Sequence, residues 1–154
     1  MNYFIKFFVL TSLMMAVGCE VDDICTEAVL TPKLIIRFYD TANPDAVKEA
    51  TGLYVWAEAK DSLYVNSTTD SIVLPLNTHL DETKYLLSSN SVVDTLYLFY
   101  DRQEIFVSRS CGFKYNFELT DETHLTSQWS DSMTTIATPQ IVKDESAAHI
   151  KIFH

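Results

Sequence analysis

The sequence predicts an all-β protein, an immunoglobulin-like antiparallel β-sandwich of about eight strands. Apolar and polar residues alternate along short segments of the chain, which is the period of strands with one buried face. Polar clusters separate these segments at intervals close to the roughly 8 to 12 residues typical of sandwiches and barrels. The chain has 154 residues, and no internal repeat or second domain is visible in it.

The clearest strand runs from Phe113 to Leu119. Its alternate residues Phe113, Tyr115, Phe117 and Leu119 are apolar or aromatic, and the residues between them are polar. We expect these four side chains to face the core together, because successive residues of a strand point to opposite faces. Seven other segments have similar patterns: Leu34 to Tyr39, Leu53 to Ala57, Ser71 to Leu76, Thr95 to Tyr100, Glu104 to Ser108, Thr134 to Ala137 and His149 to Phe153.

Prolines mark breaks between these strands. Pro32 precedes a strand, and Pro139 interrupts one. Pro75 lies within an apolar run and predicts an edge strand or a bulge, because proline cannot donate a hydrogen bond to a ladder. The segment 43–50 begins with an Asn cap, has Pro44 at the first helical position and is followed by a glycine. It is the one candidate for a short helix, with a loop as the alternative.

The first residues have the layout of a secretory signal. Lys6 supplies positive charge, an apolar stretch from Phe7 to Val17 follows, and small residues lead to Cys19. The stretch is too short to span a bilayer, which takes about 20 apolar residues. Cysteine directly after the cut favours the lipoprotein pathway, with Cys19 as the acylated first residue, although Ala16 stands where such motifs more often have Leu. Ordinary cleavage near Gly18 and an uncleaved leader are the alternatives.

This interpretation divides the chain into a signal peptide (1–18), a lipid-attachment linker (19–24) and a single β-sandwich domain (25–154). It predicts a protein anchored by lipid in a bacterial outer membrane, on the periplasmic face or at the cell surface. The acidic stretch Glu20–Asp23 is similar to a tag that some Gram-negative bacteria use for surface export. A solvated charge cluster in a short linker explains it equally well.

The chain is acidic, with a formal net charge of −10. Residues 1–18 contain Lys6 and no carboxylate, so their removal leaves 136 residues with a net charge of −11. Such a surface repels nucleic acid and anionic lipid, which argues against a phosphate-binding role. The expected partners are the membrane, through the N-terminal lipid, and an unidentified envelope protein or glycan.

The three cysteines are an odd number. Lipidation of Cys19 would leave Cys25 and Cys111 as a pair in an oxidising compartment, so we predict a disulfide between them. Two buried thiols are the alternative. The bridge would contribute about 4 kcal/mol to stability by closing a long loop. The six residue steps from Cys19 to Cys25 reach about 20 Å at most, so the bridge would hold the domain close to the membrane.

Five blocks occur in order along the chain: Cys25–Ala28, Thr31–Asp40, Asp70–Leu76, Cys111–Phe113 and His149–Ile152. Their order resembles a family of small lipoproteins of unknown function from Gram-negative gut and environmental bacteria. The second block, Thr-Pro-Lys-Leu-Ile-Ile-Arg-Phe-Tyr-Asp, and the Cys-Gly-Phe block are the most specific. The similarity covers nearly all of residues 19–154. It implies an envelope lipoprotein, and it implies no activity and no catalytic residues.

No pattern in the sequence predicts catalysis or a metal site. The histidines are His79, His124, His149 and His154, and no pair of them has the spacing that places two ligands on one strand or helix face. No Gly-x-Ser-x-Gly motif is present, and Cys111 as a nucleophile would need a neighbouring histidine. We therefore expect a protein that is not an enzyme and that uses no cofactor or metal.

Two tryptophans bear on a binding role. Trp56 lies on an alternating strand with Tyr54, and we expect it in the core. Trp129 lies in a polar stretch and is a possible ligand contact, with burial as the alternative. We therefore expect a non-enzymatic structural or interaction role at the envelope. The alternative is a module that binds a glycan or another ligand through exposed aromatic residues such as Trp129.

The order Asp, then Ser or Thr, then an apolar residue recurs along the chain. It occurs at Asp40–Ala42, Asp61–Leu63, Asp70–Ile72, Asp94–Leu96 and Asp131–Met133. This order resembles the O-glycosylation acceptor of some Gram-negative envelopes. A turn aspartate followed by the start of a strand produces the same order, so both interpretations stand.

Overall fold

The structure is a computed structural model that describes Cys25 and residues 30–154. The predicted signal peptide (1–18), the lipidation residue Cys19 and the rest of the linker 19–24 lie outside the described residues, as do residues 26–29. The described part of the chain contains eleven strands and no helix. It therefore holds no helix with the length and apolarity needed to cross a membrane. The all-β prediction is confirmed.

The strands form two sheets that pack as a sandwich. In chain order they are β1 (Leu34–Tyr39), β2 (Ala50–Ala57), β3 (Ser62–Thr69), β4 (Ser71–Leu74), β5 (Glu82–Ser89), β6 (Val92–Ser108), β7 (Gly112–Leu119), β8 (His124–Leu125), β9 (Ser132–Thr135), β10 (Gln140–Val142) and β11 (Ile150–Phe153).

The smaller sheet has four strands in the order β4-β1-β11-β9. β1 runs parallel to β11, with Ile36 opposite Ile150, and the other two pairings are antiparallel. β4 is an edge strand, and Pro75 directly follows its last residue, Leu74. This position agrees with the edge that Pro75 predicts, because no ladder bond is required of its missing N–H.

The larger sheet has seven strands. Six of them lie in the order β10-β7-β6-β5-β2-β3, and the seventh, β8, pairs with β6. All of its pairings are antiparallel. β6 is 17 residues long. Its first half, up to Phe99, pairs with β5, and its second half, from Tyr100, pairs with β7. The β6–β7 hairpin therefore extends beyond the part of the sheet that β2 and β5 build.

The inner faces of the two sheets meet in an apolar core. Its fully buried side chains include Leu34, Ile36 and Phe38 of β1, Leu53 and Val55 of β2, Leu96 and Leu98 of β6, and Ile150 and Ile152 of β11. Each contributes about 1.5 to 3 kcal/mol relative to an exposed position. A slip of one residue in any strand would turn its core residues toward solvent, so this burial fixes the register.

The number of strands differs from the prediction of about eight. The segments Thr95–Tyr100 and Glu104–Ser108 form one strand, because the polar residues between them keep their pairing with β7. β3 was not predicted because most of its residues are exposed, so it lacks an apolar alternation. β5 was not predicted because its apolar residues are adjacent rather than alternate. Pairing between strands defines these elements where the local pattern does not.

The segment 43–50 is a loop, not a helix. The N–H of Ala46 donates to the carbonyl of Asn43 at 2.8 Å, which closes a single turn around Pro44. The fixed φ of proline suits the second position of such a turn as well as the first turn of a helix. The loop alternative is therefore the correct one, and β2 begins where the helix would have ended.

Candidate functional site

The outer surface of the larger sheet carries aromatic side chains. On β2, Leu53 and Val55 are fully buried, so Tyr54 and Trp56 point to the solvent side. Tyr54 is 40% exposed, and Trp56 is partly exposed. The expectation that Trp56 lies in the core is therefore wrong. The residues on either side of Tyr54 belong to the core, and strand alternation places Trp56 with Tyr54 on the opposite surface.

The same alternation exposes two rings on β6. Leu96 and Leu98 are fully buried, and Tyr97 and Phe99 lie on the outer surface. The imidazole of His124, on β8, stacks beside both, with its centroid 4.7 Å from that of Tyr97 and 6.3 Å from that of Phe99. We call this set the outer aromatic face: Tyr54, Trp56, Tyr97, Phe99 and His124.

Strand register sets the spacing of these rings. Trp56 pairs with Leu86 on β5, and Leu86 pairs with Thr95 on β6. Trp56 and Tyr97 therefore stand about 12 Å apart, two strands across and two residues along the sheet. This distance lets one extended ligand contact both rings at once.

Charged side chains surround the outer aromatic face. Lys84 Nζ lies 5.8 Å from the centroid of the Tyr97 ring and 3.4 Å from Oε2 of Glu58. Lys60 borders two shallow depressions, one beside Tyr54 and Trp56 and the other beside Lys84, Tyr97 and Phe99. Ring surfaces with ammonium and carboxylate groups at their edges supply stacking and hydrogen bonds, which are the elements of a binding surface.

Trp129, the ligand contact predicted from the sequence, is held within the fold. It is partly buried against the core, with its ring centroid 6.1 Å from that of Phe38 and 5.6 Å from that of His154. Its indole N–H donates to the carbonyl of Leu87 at 2.9 Å. Of the two alternatives, exposure and burial, the structure favours burial, because core packing and this hydrogen bond hold the partly buried side chain. A contact between Trp129 and a ligand stays a prediction.

A buried carboxylate positions the Trp129 loop, residues 126–130. Asp94 of β6 is fully buried and accepts hydrogen bonds from Thr126, Gln128, Trp129 and Ser130. Burial alone would raise the pKa of Asp94. The hydrogen bonds from Ser130, Thr126 and Gln128 outweigh it, so the pKa lies below the usual value for aspartate. Asp94 is therefore ionised at neutral pH and serves the structure of the loop.

The histidines lie apart in the structure. His124 belongs to the outer aromatic face, and His154 packs against Phe38. His149 is buried, its Nδ1 accepts the N–H of Ile35 at 3.0 Å, and burial lowers its pKa. Among the described residues, no group of three His, Cys, Asp or Glu side chains is close enough to hold a metal ion.

The predicted disulfide is present. The Sγ atoms of Cys25 and Cys111 lie 2.05 Å apart, and the Cα atoms lie 5.2 Å apart. The bridge joins the N-terminal end of the described chain to the turn of the β6–β7 hairpin. A second contact holds the same segment along β7, since the N–H of Tyr115 donates to Thr31 Oγ1 at 3.2 Å.

The far end of this hairpin exposes two aromatic rings. Phe117 is fully buried as expected, but Phe113, expected beside it, is 57% exposed. Its ring meets that of Phe106, which is 58% exposed, at a centroid distance of 5.2 Å. Both rings lie on the core-facing side of the hairpin. The alternation is therefore as predicted, but the hairpin extends past the point where the other sheet covers it.

Most of the Asp-Ser and Asp-Thr motifs lie either at the start of a strand or in the buried hydrogen-bond network of Asp94. Ser62, Ser71 and Ser132 each begin a strand, and Asp94 is the buried carboxylate described above. This placement favours the explanation by turns and strand starts. O-glycosylation stays a prediction.

Comparison with known proteins adds one match. The model of a family of unknown function (DUF6452) matches residues 52–154. No curated protein and no solved structure matches the chain. The matched segment contains the outer aromatic face, Cys111 and the β6–β7 hairpin, and it begins after β1.

Proposed function

We propose, for a chain that belongs to the family of unknown function DUF6452, the role of a lipid-anchored lipoprotein of the bacterial outer membrane that acts by binding rather than by catalysis. The observation that carries this proposal is the Cys25–Cys111 disulfide. Disulfides persist in oxidising compartments such as the periplasm and the cell surface. The bridge also uses the two cysteines that remain once Cys19 is acylated.

The sequence of the leader supports the same proposal independently of the disulfide. The charged start, the apolar stretch and the small residues before Cys19 are the order of a lipoprotein signal. Two or more acyl chains would anchor the protein stably, because each buried CH₂ contributes about 0.8 kcal/mol and one chain alone binds only marginally. In a chain acylated at Cys19, the disulfide-bonded Cys25 would follow the lipid by six residues.

Detergent-phase partitioning of the protein from a Gram-negative host tests the anchor. We expect the wild type to enter the detergent phase and Cys19→Ala to remain in the aqueous phase or to keep its leader. Ser12→Ala, in the apolar stretch but outside the cleavage motif, is the matched control and should behave as the wild type. Aqueous partitioning of the wild type, or detergent partitioning of a cleaved Cys19→Ala chain, would contradict lipidation at Cys19.

The interaction role is assigned to the outer aromatic face. Its rings lie on a β-sheet whose other side is the core, so packing of that core sets the positions of the strands that carry them. In-cell crosslinking and affinity purification, compared with Cys19→Ala, would test it. Partners captured only with the lipidated form support a role at the membrane, and an empty capture contradicts an interaction role.

A glycan is the ligand class that the outer aromatic face favours among the alternatives. Sugar rings stack on exposed aromatic faces, and Trp56 and Tyr97 present two of these about 12 Å apart. Lys60, Lys84 and Glu58 lie at their edges and can bond to hydroxyl groups. A glycan-binding role is therefore the second candidate function. In it, the outer aromatic face replaces Trp129 as the surface that contacts the ligand.

Calorimetric titration with a panel of envelope glycans tests this candidate. Trp56→Ala and Tyr97→Ala should each weaken binding by about tenfold or less, because an aromatic contact contributes about 0.5 to 1.5 kcal/mol. Phe106→Ala removes an exposed ring elsewhere and should leave the affinity unchanged. Failure of every glycan to bind the wild type, or equal binding by all three variants, would contradict glycan recognition at this face.

A further inference from the structure

The end of the β6–β7 hairpin carries a pair of exposed aromatic side chains. We define the hairpin tip as residues Ile105–Lys114, which include the turn that carries Cys111. Phe106 and Phe113 pack edge to face at its centre, and each remains more than half exposed. Single exposed apolar residues are ordinary, whereas exposed apolar side chains packed together into a patch are typical of surfaces that contact another molecule or a membrane.

The hairpin tip extends well beyond the core. Phe117 is the last fully buried residue of β7 toward the tip, and Phe113 lies four residues further along. At a rise of about 3.3 Å per residue, the ring pair stands about 13 Å past the core. The pair is thus placed to meet a surface that faces the end of the domain.

The disulfide relates the hairpin tip to the proposed lipid anchor. Cys111 lies two residues from Phe113, and its Cα is 5.2 Å from that of Cys25. Cys25 in turn is six residues after Cys19, a reach of about 20 Å at most. In a lipid-anchored protein, the hairpin tip is therefore the end of the described domain that is tied to the bilayer.

The charge of the hairpin tip differs from that of the whole protein. Residues 105–114 contain Arg109 and Lys114 and no carboxylate, in a chain whose formal net charge is −10. Cationic side chains beside exposed phenylalanines match the interface of a bilayer, where headgroup phosphates lie above the acyl chains. The rest of the acidic surface would be repelled from anionic headgroups, which favours contact through the tip.

We propose that the hairpin tip inserts Phe106 and Phe113 into the headgroup region of the membrane that holds the lipid anchor. This inference rests on the proposed lipidation of Cys19 and adds a second, non-covalent contact that fixes the orientation of the domain. The Cys25–Cys111 bridge is the link between the two contacts. Because the rings enter the interface from a hairpin that is cross-linked to Cys25, the domain stands on the bilayer instead of moving freely around its anchor.

This orientation keeps the outer aromatic face accessible. Phe99 lies seven residues before Phe106 on β6, which corresponds to about 23 Å along the strand. Trp56 is level with Thr95 and lies further still from the tip. A ligand could therefore reach the face without entering the headgroup region.

Quenching of tryptophan emission by brominated lipid tests the contact. The probe is the processed, full-length lipoprotein carrying Phe113→Trp, purified from membranes and incorporated into phosphatidylethanolamine and phosphatidylglycerol vesicles with or without bromine on the acyl chains. The matched control is Val65→Trp, at a position 63% exposed on β3. Register places the neighbouring Tyr64 level with Asp94, about 40 Å along the sheet from Phe106.

We expect bromine to reduce by about half or more the emission that F113W adds to the wild-type signal, because apolar side chains at the interface enter the boundary of headgroups and acyl chains by about 5 to 10 Å. The emission that V65W adds should be unchanged. If neither variant is quenched while the protein still floats with the vesicles, the tip contact is wrong and the lipid anchor stands. If F113W resists both bromine and an aqueous quencher, a protein partner or a second copy covers the tip, which also overturns the inference. A protein that does not float with vesicles overturns the anchor and this inference together.

Discussion

Replacing Asp94 with asparagine tests the polar network that positions the Trp129 loop. One carboxylate oxygen of Asp94 accepts hydrogen bonds from the hydroxyl of Thr126 and the N–H of Gln128, at 2.8 and 2.7 Å. The other carboxylate oxygen accepts hydrogen bonds from the N–H of Trp129, the N–H of Ser130 and the hydroxyl of Ser130, at 3.1, 2.9 and 2.7 Å. Asparagine keeps one acceptor oxygen and turns an NH₂ group toward the remaining donors, so at least two bonds are lost whichever way the amide is oriented.

The magnitude follows from the number of bonds lost. A hydrogen bond to a charged acceptor contributes about 1.5 to 3 kcal/mol, and donors left buried without an acceptor add to the cost. We therefore expect Asp94→Asn to lower the free energy of unfolding by about 3 to 5 kcal/mol. For a domain of this length, that corresponds to a fall in melting temperature of about 10 to 20 °C.

Urea denaturation of both variants against the wild type is the assay. Asp101→Asn makes the same chemical change at an exposed position of the same strand and should lie within about 0.5 kcal/mol of the wild type. Because the pKa of Asp94 is lowered, the difference between wild type and Asp94→Asn should be full above about pH 4 and shrink as the pH falls through the pKa of the folded state. A difference of less than about 1 kcal/mol between the two variants at neutral pH would refute this role for Asp94.

Three further predictions concern stability. Cys111→Ser opens a loop of 86 residues and should lower the unfolding free energy in urea by about 4 kcal/mol, whereas unchanged stability would contradict a stabilising bridge. Burial lowers the pKa of His149, so stability should be full above about pH 6.5 and decline below it by up to about 1.4 kcal/mol per pH unit. His149→Gln should show a smaller decline in denaturation curves, and an equal decline would exclude His149 as its source. Burial raises the pKa of Tyr85 to about 12, so stability should be full below about pH 10 and fall as the pH rises toward that value. Tyr85→Phe should lose the highest step of the ultraviolet titration, and a retained step would assign it to another tyrosine.

The elements that alternation specifies were predictable from the sequence. Leu34–Tyr39 has the predicted bounds, because every second residue of β1 faces a core that tolerates only apolar side chains. The Cys25–Cys111 bridge was also predictable, since one cysteine was assigned to lipid and two remained. The strand follows from a local pattern, and the bridge follows from the number of cysteines in the chain.

The candidate sites were harder to predict because they depend on what covers each strand. Alternation placed Phe113 and Phe117 on one side of β7, but only the length of the opposing sheet determines that Phe117 is buried and Phe113 exposed. In the same way, apolar residues on both surfaces of β2 conceal that Trp56 lies outside. Trp129 lies in a polar stretch, and its partial burial depends on contacts with distant parts of the chain: its N–H donates to Asp94 of β6, and its indole N–H donates to the carbonyl of Leu87 of β5.

The central claim is that Cys19 carries the lipid that holds this β-sandwich at the membrane. Intact mass spectrometry of the protein purified from the membranes of a Gram-negative host tests it most directly. We predict a chain that begins at Cys19, contains one disulfide and exceeds the mass of residues 19–154 by the mass of its acyl modification. A mature chain that begins elsewhere, or one that begins at Cys19 with an unmodified thiol and amine, would contradict the claim.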